Sequence, residues 1–479
     1  LAMAFSHMTK IIVDVTELRN YISKHAQLSG IQRVMVMLIE ALAAHYPHDK
    51  LWLGYCGSDE NDYRVLPYHF LAPEGATDLQ KLAQVLGVAS TKMHRPSLEG
   101  YVEKPVKRII HTILRDLNAK AGNADHFRKR NLTIEEWQAS SPRRVSHTSA
   151  FETQAAAKVC APGDWVVLLD AGWLDPSWNA AENWRDNLRE RGVKIALLVH
   201  DLIQIQNPEY ISGTDPMRFY KWILSTLRNT DLYLANSQAT AKDLRAFLTS
   251  HEAEREIAVL PLAQEALPRP STPAAEADTL IPAPYDTLTT TWDLDENIRA
   301  LLKWPFVLCV GTMEARKNLW ALAQVWDQLR GTPDVRLPKL VFAGRRGWLN
   351  ADFDALMQAT GRLGGWVEIC EGPTDQELDF LYRHCLFTVT PSFYEGWGLP
   401  IGEGLSYGKT GVVSQTSSMP EVGGDMVEYC DPYDLSSIKA ACVKLIADPD
   451  HRVSLEAKIA KATMRSWDDV GRDLLKLVA

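Results

Sequence analysis

The stretch Pro391-Ser392-Phe393-Tyr394-Glu395-Gly396-Trp397-Gly398-Leu399-Pro400-Ile401-Gly402-Glu403-Gly404 holds two carboxylates eight positions apart. The run before it, Cys385-Leu386-Phe387-Thr388-Val389-Thr390, predicts a buried strand, and Gly396 and Gly398 permit a tight turn into a helix for which Pro400 suits the first position. Glu395 then falls at the carboxyl end of a strand and Glu403 on the first helical turn. Free backbone N–H groups from about Gly398 and Leu399 to Gly402 point out of the helix start with the positive end of its dipole, an arrangement suited to phosphate. Two acids beside an anion hole suggest a phosphorylated, hydroxyl-rich ligand such as a nucleotide sugar.

Outward from this stretch, short apolar runs alternate with helical patterns, which predicts parallel sheets. In the first half they are Ile11 to Val15, Leu51 to Tyr55, Trp165 to Leu169, Ile195 to Val199, Leu232 to Ala235 and Ile257 to Leu260. In the second they are Phe306 to Val310, Leu340 to Ala343, Val367 to Cys370, Phe387 to Thr390 and Gly411 to Ser414. The fold class is α/β, with two doubly wound sheets. Gln264 to Thr291 is rich in Pro, Ala and Thr and reads as an interdomain linker. The expected division is 8–263, 264–300, 301–460 and a terminal helix over 461–479, capped by Ser466. Leu1 to His7 reads as an expression remnant with Met8 as the native start.

The 479 residues are 46% hydrophobic, enough for two domains with cores. A net charge of −9 argues against a nucleic-acid binder, which must neutralise phosphates over a broad surface. No run reaches the roughly 18 to 20 apolar residues that span a bilayer, and no secretion signal is evident. The seven cysteines are scattered, mostly inside apolar runs, and read as reduced core residues of a cytosolic protein. No metal site is expected: Asp293-Leu294-Asp295 and Asp352-Phe353-Asp354 match the Asp-x-Asp pattern, but neither follows a convincing strand.

The Glu395–Glu403 stretch resembles the donor-site signature of retaining glycosyltransferases of the GT-B architecture, family GT4. Gly311-Thr312-Met313-Glu314-Ala315-Arg316-Lys317-Asn318 is similar to that family's basic loop, and Ser417-Ser418-Met419-Pro420-Glu421-Val422-Gly423-Gly424-Asp425 to the segment after its second acid. Ser29-Gly30-Ile31-Gln32-Arg33 and Val199-His200-Asp201-Leu202-Ile203 match more loosely. The resemblance implies two Rossmann-like domains, with the terminal helix crossing back onto the first.

Transfer of a sugar from a nucleoside diphosphate develops negative charge on the leaving phosphate and positive charge at the anomeric carbon. Arg316 and Lys317 are the side chains for the phosphate, joined by Gly311 and by backbone amides at Gly398, Leu399 and, across the cleft, Gly30. The family frequently has arginine where this chain has Thr312. The resemblance assigns Glu403 to the nucleotide ribose, Glu395 to the donor sugar and His200 to the active site. A covalent intermediate on Glu395 and same-face attack, in which the leaving phosphate takes the acceptor proton, both remain open; the resemblance favours the second. Helix capping or bracing explains Glu421 and Ser237 nearly as well.

The expected activity is metal-independent, cofactor-free hexose transfer from a nucleotide sugar, GDP-mannose first, to a glycan or lipid-linked acceptor in bacterial surface polysaccharide assembly. Alternatives are nucleotide-sugar epimerisation, glycan phosphorolysis, or a non-catalytic sugar-binding subunit. The expected setting is the cytoplasm; contact with the inner face of the membrane through a basic helix at 105–120 is the less favoured of two readings of that helix. That helix lies in an insertion over about 91–150; from Thr91 to His147 it carries 12 Lys/Arg against 6 Asp/Glu. Val106, Ile109, Ile110, Ile113, Leu114 and Leu117 share one face, flanked by Lys104, Lys107, Arg108 and Arg115. The favoured reading is packing on its own domain with a solvated basic edge; the other is a helix on an anionic membrane.

Overall fold

The computed structural model describes residues 8–23, 28–57, 61–88, 105–128, 134, 137, 151–170, 172–179, 183–213, 215–266, 294–332 and 336–479. The Pro-rich run from 267 to 293, with Asp293, lies outside them, as does most of the basic insertion.

Two sheets form, each assembled from the apolar runs. The first holds β1 (Ile11–Asp14), β2 (Leu51–Cys56), β3 (Tyr63–Pro67), β4 (Gln154–Ala155), β5 (Trp165–Leu168), β6 (Lys194–Val199), β7 (Leu232–Ala235) and β8 (Glu256–Val259), in the order β4-β3-β2-β1-β5-β6-β7-β8. The second holds β9 (Phe306–Val310), β10 (Lys339–Gly344), β11 (Val367–Glu371), β12 (Thr388–Thr390), β13 (Gly411–Ser414) and β14 (Glu428–Cys430), in the order β11-β10-β9-β12-β13-β14. The second sheet is parallel throughout, and helices cover both faces, so its strands are continuously apolar. In the first sheet only β3 and β4 pair antiparallel, at one edge.

The strand order of the second sheet reverses between β9 and β12, and that of the first between β1 and β5. At such a reversal, helices leave on opposite faces and a crevice opens outside the carboxyl ends of the strands, where α/β folds bind ligands. The terminal helix Trp467–Val478, capped by Ser466 and Asp469, packs on Gly30–His45 of the first domain. Gly471 is required there: a Cβ on it would lie 2.6 Å from that of Ala41. One core cluster joins the domains, mixing Trp397, Ile401 and Met419 with Leu260, Leu262 and Trp467.

Three expectations need correction. β12 ends at Thr390, so Glu395 stands in the loop beyond the strand rather than at its end. The following helix is Leu399–Ser406, which puts Glu403 on its second turn. The helix Pro105–Lys120 forms, but its apolar face is exposed among the described residues rather than packed on its own domain.

Candidate active site

The loops after β9 and β12 meet at the reversal point. After β9, Gly311 takes φ 143°, and Asn318 takes the left-handed conformation at φ 58° before the helix Leu319–Leu329. The Asn318 Nδ2 donates to the carbonyls of Pro391, at 3.2 Å, and Pro432, at 2.8 Å, so it ties this loop to the one after β12. Between Gly311 and Asn318 a single 3-10 turn, Ala315–Lys317, presents Arg316 and Lys317.

Both cations close on Glu395. Lys317 Nζ lies 2.5 Å from its Oε1 and Arg316 Nη1 2.7 Å from its Oε2. Arg316 also pairs with Glu314 at 2.5 Å and donates to the Tyr394 carbonyl. Burial alone would raise the Glu395 carboxyl, but the two cations outweigh it and hold it at about 2. Burial works against the Arg316 charge as well, and Glu395 and Glu314 keep it ionised. The Ser417–Ser418 segment fixes the loop: Ser417 Oγ accepts from the Glu395 amide at 3.0 Å, and Ser418 Oγ hydrogen-bonds the Glu395 and Trp397 carbonyls.

Two helix starts face each other beside this cluster. Gly398 caps the second-domain helix with φ 101° and ψ 51°, a conformation that favours glycine. Gly30 opens the first-domain helix, and a Cβ built on it would lie 4.0 Å from Leu399 Cδ1. Glu403 accepts from the buried Tyr382 hydroxyl at 2.7 Å through Oε2, and among the described residues no donor reaches its Oε1. Tyr382 stacks on Tyr407, with ring centroids 5.1 Å apart. Thr312 is exposed.

His200 stands after β6, across from the Glu395 loop. A carbonyl only accepts, so Nε2 donates to Leu169 O at 2.8 Å and Nδ1 carries the lone pair in the neutral ring. A Cβ on Gly396 would lie 2.1 Å from His200 O, so only glycine lets the donor loop come this close to the first domain. Next to His200, burial raises the Asp201 carboxyl, with Arg316 acting against it. Tyr394 donates to Asp243 of the first domain. Glu421 accepts from the Gln238 and Ala239 amides at 2.8 and 2.9 Å, while Ser237 accepts from Thr240 N at 3.0 Å. Both therefore cap the helix Gln238–Ser250, Glu421 from the opposite domain.

At the reversal point of the first sheet, Asp14, Glu17, Asp170 and Asp175 line a small cavity with Trp178 and Arg185. Burial raises Asp14 to about 6 and Glu17 to about 7, and repulsion among the acids adds to both shifts. Arg185 is sandwiched between Trp178 and Trp184 and pairs with Asp175 at 2.8 Å. Sequence reasoning missed this cavity, together with Glu314 and Tyr382; their only local signal is a carboxylate or hydroxyl placed among apolar neighbours. Of the Asp-x-Asp matches, Asp295 caps Glu296–Ala300, and Asp352 and Asp354 lie in the first turn of Ala351–Ala359, with Asp354 paired to Arg346.

Residues 292–462 match the family described as Glycosyl transferases group 1. The chain is 37% identical over 172 residues to O-antigen chain mannosyltransferase B of Escherichia coli, covering 35% of this chain and 44% of that protein. It is 25% identical over 276 residues to the serotype-specific mannosyltransferase WbdA of Escherichia coli, covering 57% and 32%. It thus spans less than half the length of these curated relatives. Among solved structures, sucrose-phosphate synthase from Thermosynechococcus elongatus superposes with a TM-score of 0.54 at 16% identity, over 98% of each chain. Anabaena Alr3699/HepE in complex with UDP and glucose also gives 0.54, at 12% identity, over 98% of this chain and 99% of that one. The chain has the GT-B architecture, and its segment 292–462 matches the family of glycosyl transferases group 1.

Proposed function

We propose that this chain transfers a hexose, mannose from GDP-mannose in the first instance, to a glycan or lipid-linked acceptor in bacterial surface polysaccharide assembly, with retention at the anomeric carbon and without a metal. The observation that carries this reading is Glu395, held as a carboxylate by Arg316 and Lys317 between two helix starts, with His200 across the cleft. The names of the relatives in Escherichia coli support the sugar and the polysaccharide setting; the cytoplasmic face of the membrane as its location is part of the proposal.

In this reading the diphosphate lies against Arg316, Lys317 and the amides at Gly398, Leu399 and Gly30, with Gly311 and Thr312 lining its approach. The spare Oε1 of Glu403 takes a ribose hydroxyl. Glu395 faces the sugar and balances the positive charge that grows at its anomeric carbon. The bond from that carbon to the phosphate oxygen breaks as the acceptor oxygen bonds to the same face, and the acceptor proton passes to the departing phosphate. His200, with Nδ1 as acceptor, orients a sugar hydroxyl. In this reading the acids around Asp14 and Glu17, which line a small cavity of the first domain, offer hydrogen-bond acceptors to the acceptor sugar.

Protection of the chain against thermal unfolding by GDP-, UDP-, ADP- and dTDP-sugars tests the donor, since a ligand of the native state raises apparent stability. GDP-mannose should protect best and, with acceptor and EDTA present, yield an α-linked product by NMR. An inverted linkage, or donor isomerised without acceptor, would sink the proposal.

A further inference from the structure

The helix Pro105–Lys120 is docked by the wrong side. At about 100° per residue, Val106, Ile109, Ile110, Ile113, Leu114 and Leu117 fall on one arc, and these six side chains are 44% to 69% exposed. On the opposite arc Arg115 is 4% and Ala119 7% exposed. Ala119 joins a small cluster with Phe127 and Trp137, and the Arg115 guanidinium lies 5.2 Å from the centre of the Trp137 ring. Asp116, the one acid of this helix, accepts from Trp137 Nε1 at 2.8 Å. A helix held by a polar side chain while its apolar stripe faces outward has something apolar to meet.

Charge identifies the occupant. Lys107 is exposed at one edge of the stripe and Lys120 at its carboxyl end, and Lys104 and Arg108 extend the basic run in the sequence. The segment Thr91 to His147 holds 12 Lys/Arg against 6 Asp/Glu in a chain of net charge −9, so the sequence concentrates basic residues in the stretch that contains this helix. Pairing two copies of the stripe would bring like charges together. A surface both apolar and anionic suits the stripe and its rim at once. With 16 residues the helix is too short to cross a bilayer, and among the described residues no helix is long and apolar enough to do so. We propose that this helix lies in the plane of an anionic membrane surface, its stripe at the acyl boundary and Lys107 and Lys120 against lipid phosphates. This goes beyond the proposed sugar transfer and stands whether or not that reading holds.

Co-sedimentation of the full chain with vesicles tests it. The chain should pellet with phosphatidylcholine vesicles containing phosphatidylglycerol and not with phosphatidylcholine alone. Raising salt from 0.1 M to 1 M should release it, because the screening length falls from about 10 to about 3 Å. Ile110→Asp with Ile113→Asp should weaken binding on the order of tenfold or more, and Lys107→Glu should weaken it too, with melting temperatures unchanged. Absent binding, or equal binding to both vesicle types, would overturn the proposal. So would a dimer in sedimentation velocity that the paired Asp substitutions split. A lowered melting temperature in that variant would show the stripe covered by the chain itself, with the same consequence.

Discussion

Two carboxylates and two cations, Glu314, Glu395, Arg316 and Lys317, balance one another at the centre of the cleft. A diphosphate arriving there competes with Glu395 for Arg316 and Lys317. Glu395→Gln should therefore lower transfer by two orders of magnitude or more, while nucleoside diphosphate affinity, read by calorimetry, holds or tightens. Lys317→Ala should act in reverse on binding, weakening the diphosphate roughly 10- to 150-fold, since a charge-assisted hydrogen bond is worth about 1.5 to 3 kcal/mol. Loss of affinity in Glu395→Gln would mean that the carboxylate organises the phosphate site rather than facing the sugar. The same pair sets a pH signature. Glu395 has its carboxyl lowered from 4.5 to about 2, so its contribution to stability is present above pH ~4.5 and lost as pH falls through about 2. The stability gap between the natural chain and Glu395→Gln, from denaturant unfolding, should be constant near neutrality and close between about pH 5 and 2. Asp14 and Glu17 have the opposite sign: raised to about 6 and 7, they favour the fold below pH ~4 and that contribution is lost as pH rises through those values.

At the scale of elements, the buried parallel strands were legible because their residues are apolar on both faces; β7, β9 and β13 match the sequence reading end to end. The three strands that were missed lack that signature. β3 places Arg64 mid-strand, β4 has two residues, and β14 begins with Glu428, which pairs outward with Lys444. The motifs brought Glu395, Arg316 and Lys317 forward separately. That the cations close on a carboxylate far along the chain, 78 positions from Lys317, depends on β9 and β12 being neighbours, which no local pattern states. The exposed stripe of Pro105–Lys120 was misread for a related reason: periodicity reveals an apolar face but not what that face meets. Gly396 belongs to this scale because it fixes how near one loop comes to another element. Gly396→Ala would drive a Cβ into the His200 carbonyl, so the loop must retreat from β6. Overpacking of this kind costs about 1 to 3 kcal/mol. kcat should fall at least about tenfold with nucleoside diphosphate affinity little changed, because catalytic geometry tolerates displacements of about 1 Å poorly. Unaltered kcat would show that this approach is not needed for turnover.

Across the whole molecule, the two domains share a core and are joined besides by specific polar and aromatic contacts that the sequence could not display. Arg33 pairs with Asp375, Tyr210 stacks on Phe393 at 5.2 Å, Trp348 donates to the Tyr210 carbonyl, and Glu421 caps a helix of the other domain. Ser237 and Glu421 stood out in the sequence, but their joint role requires the sheets to face each other. The terminal helix ties back onto the first domain where Gly471 meets Ala41. Glu421 thus forms a bridge between the domains, its charge stabilising two amides and the positive end of Gln238–Ser250. Glu421→Ala removes it without disturbing either core. Two hydrogen bonds to an ionised acceptor are together worth a few kcal/mol, enough to shift a closed arrangement towards open ones. The variant should show a larger radius of gyration by small-angle scattering than the natural chain, and saturating donor nucleotide should restore the compact value by binding both helix starts. Donor affinity should weaken by the fraction of molecules that are open, while kcat at saturation changes little. A variant as compact as the natural chain, with unchanged donor affinity, would reduce Glu421 to a helix cap and place closure on the Tyr210–Phe393 and Arg33–Asp375 contacts.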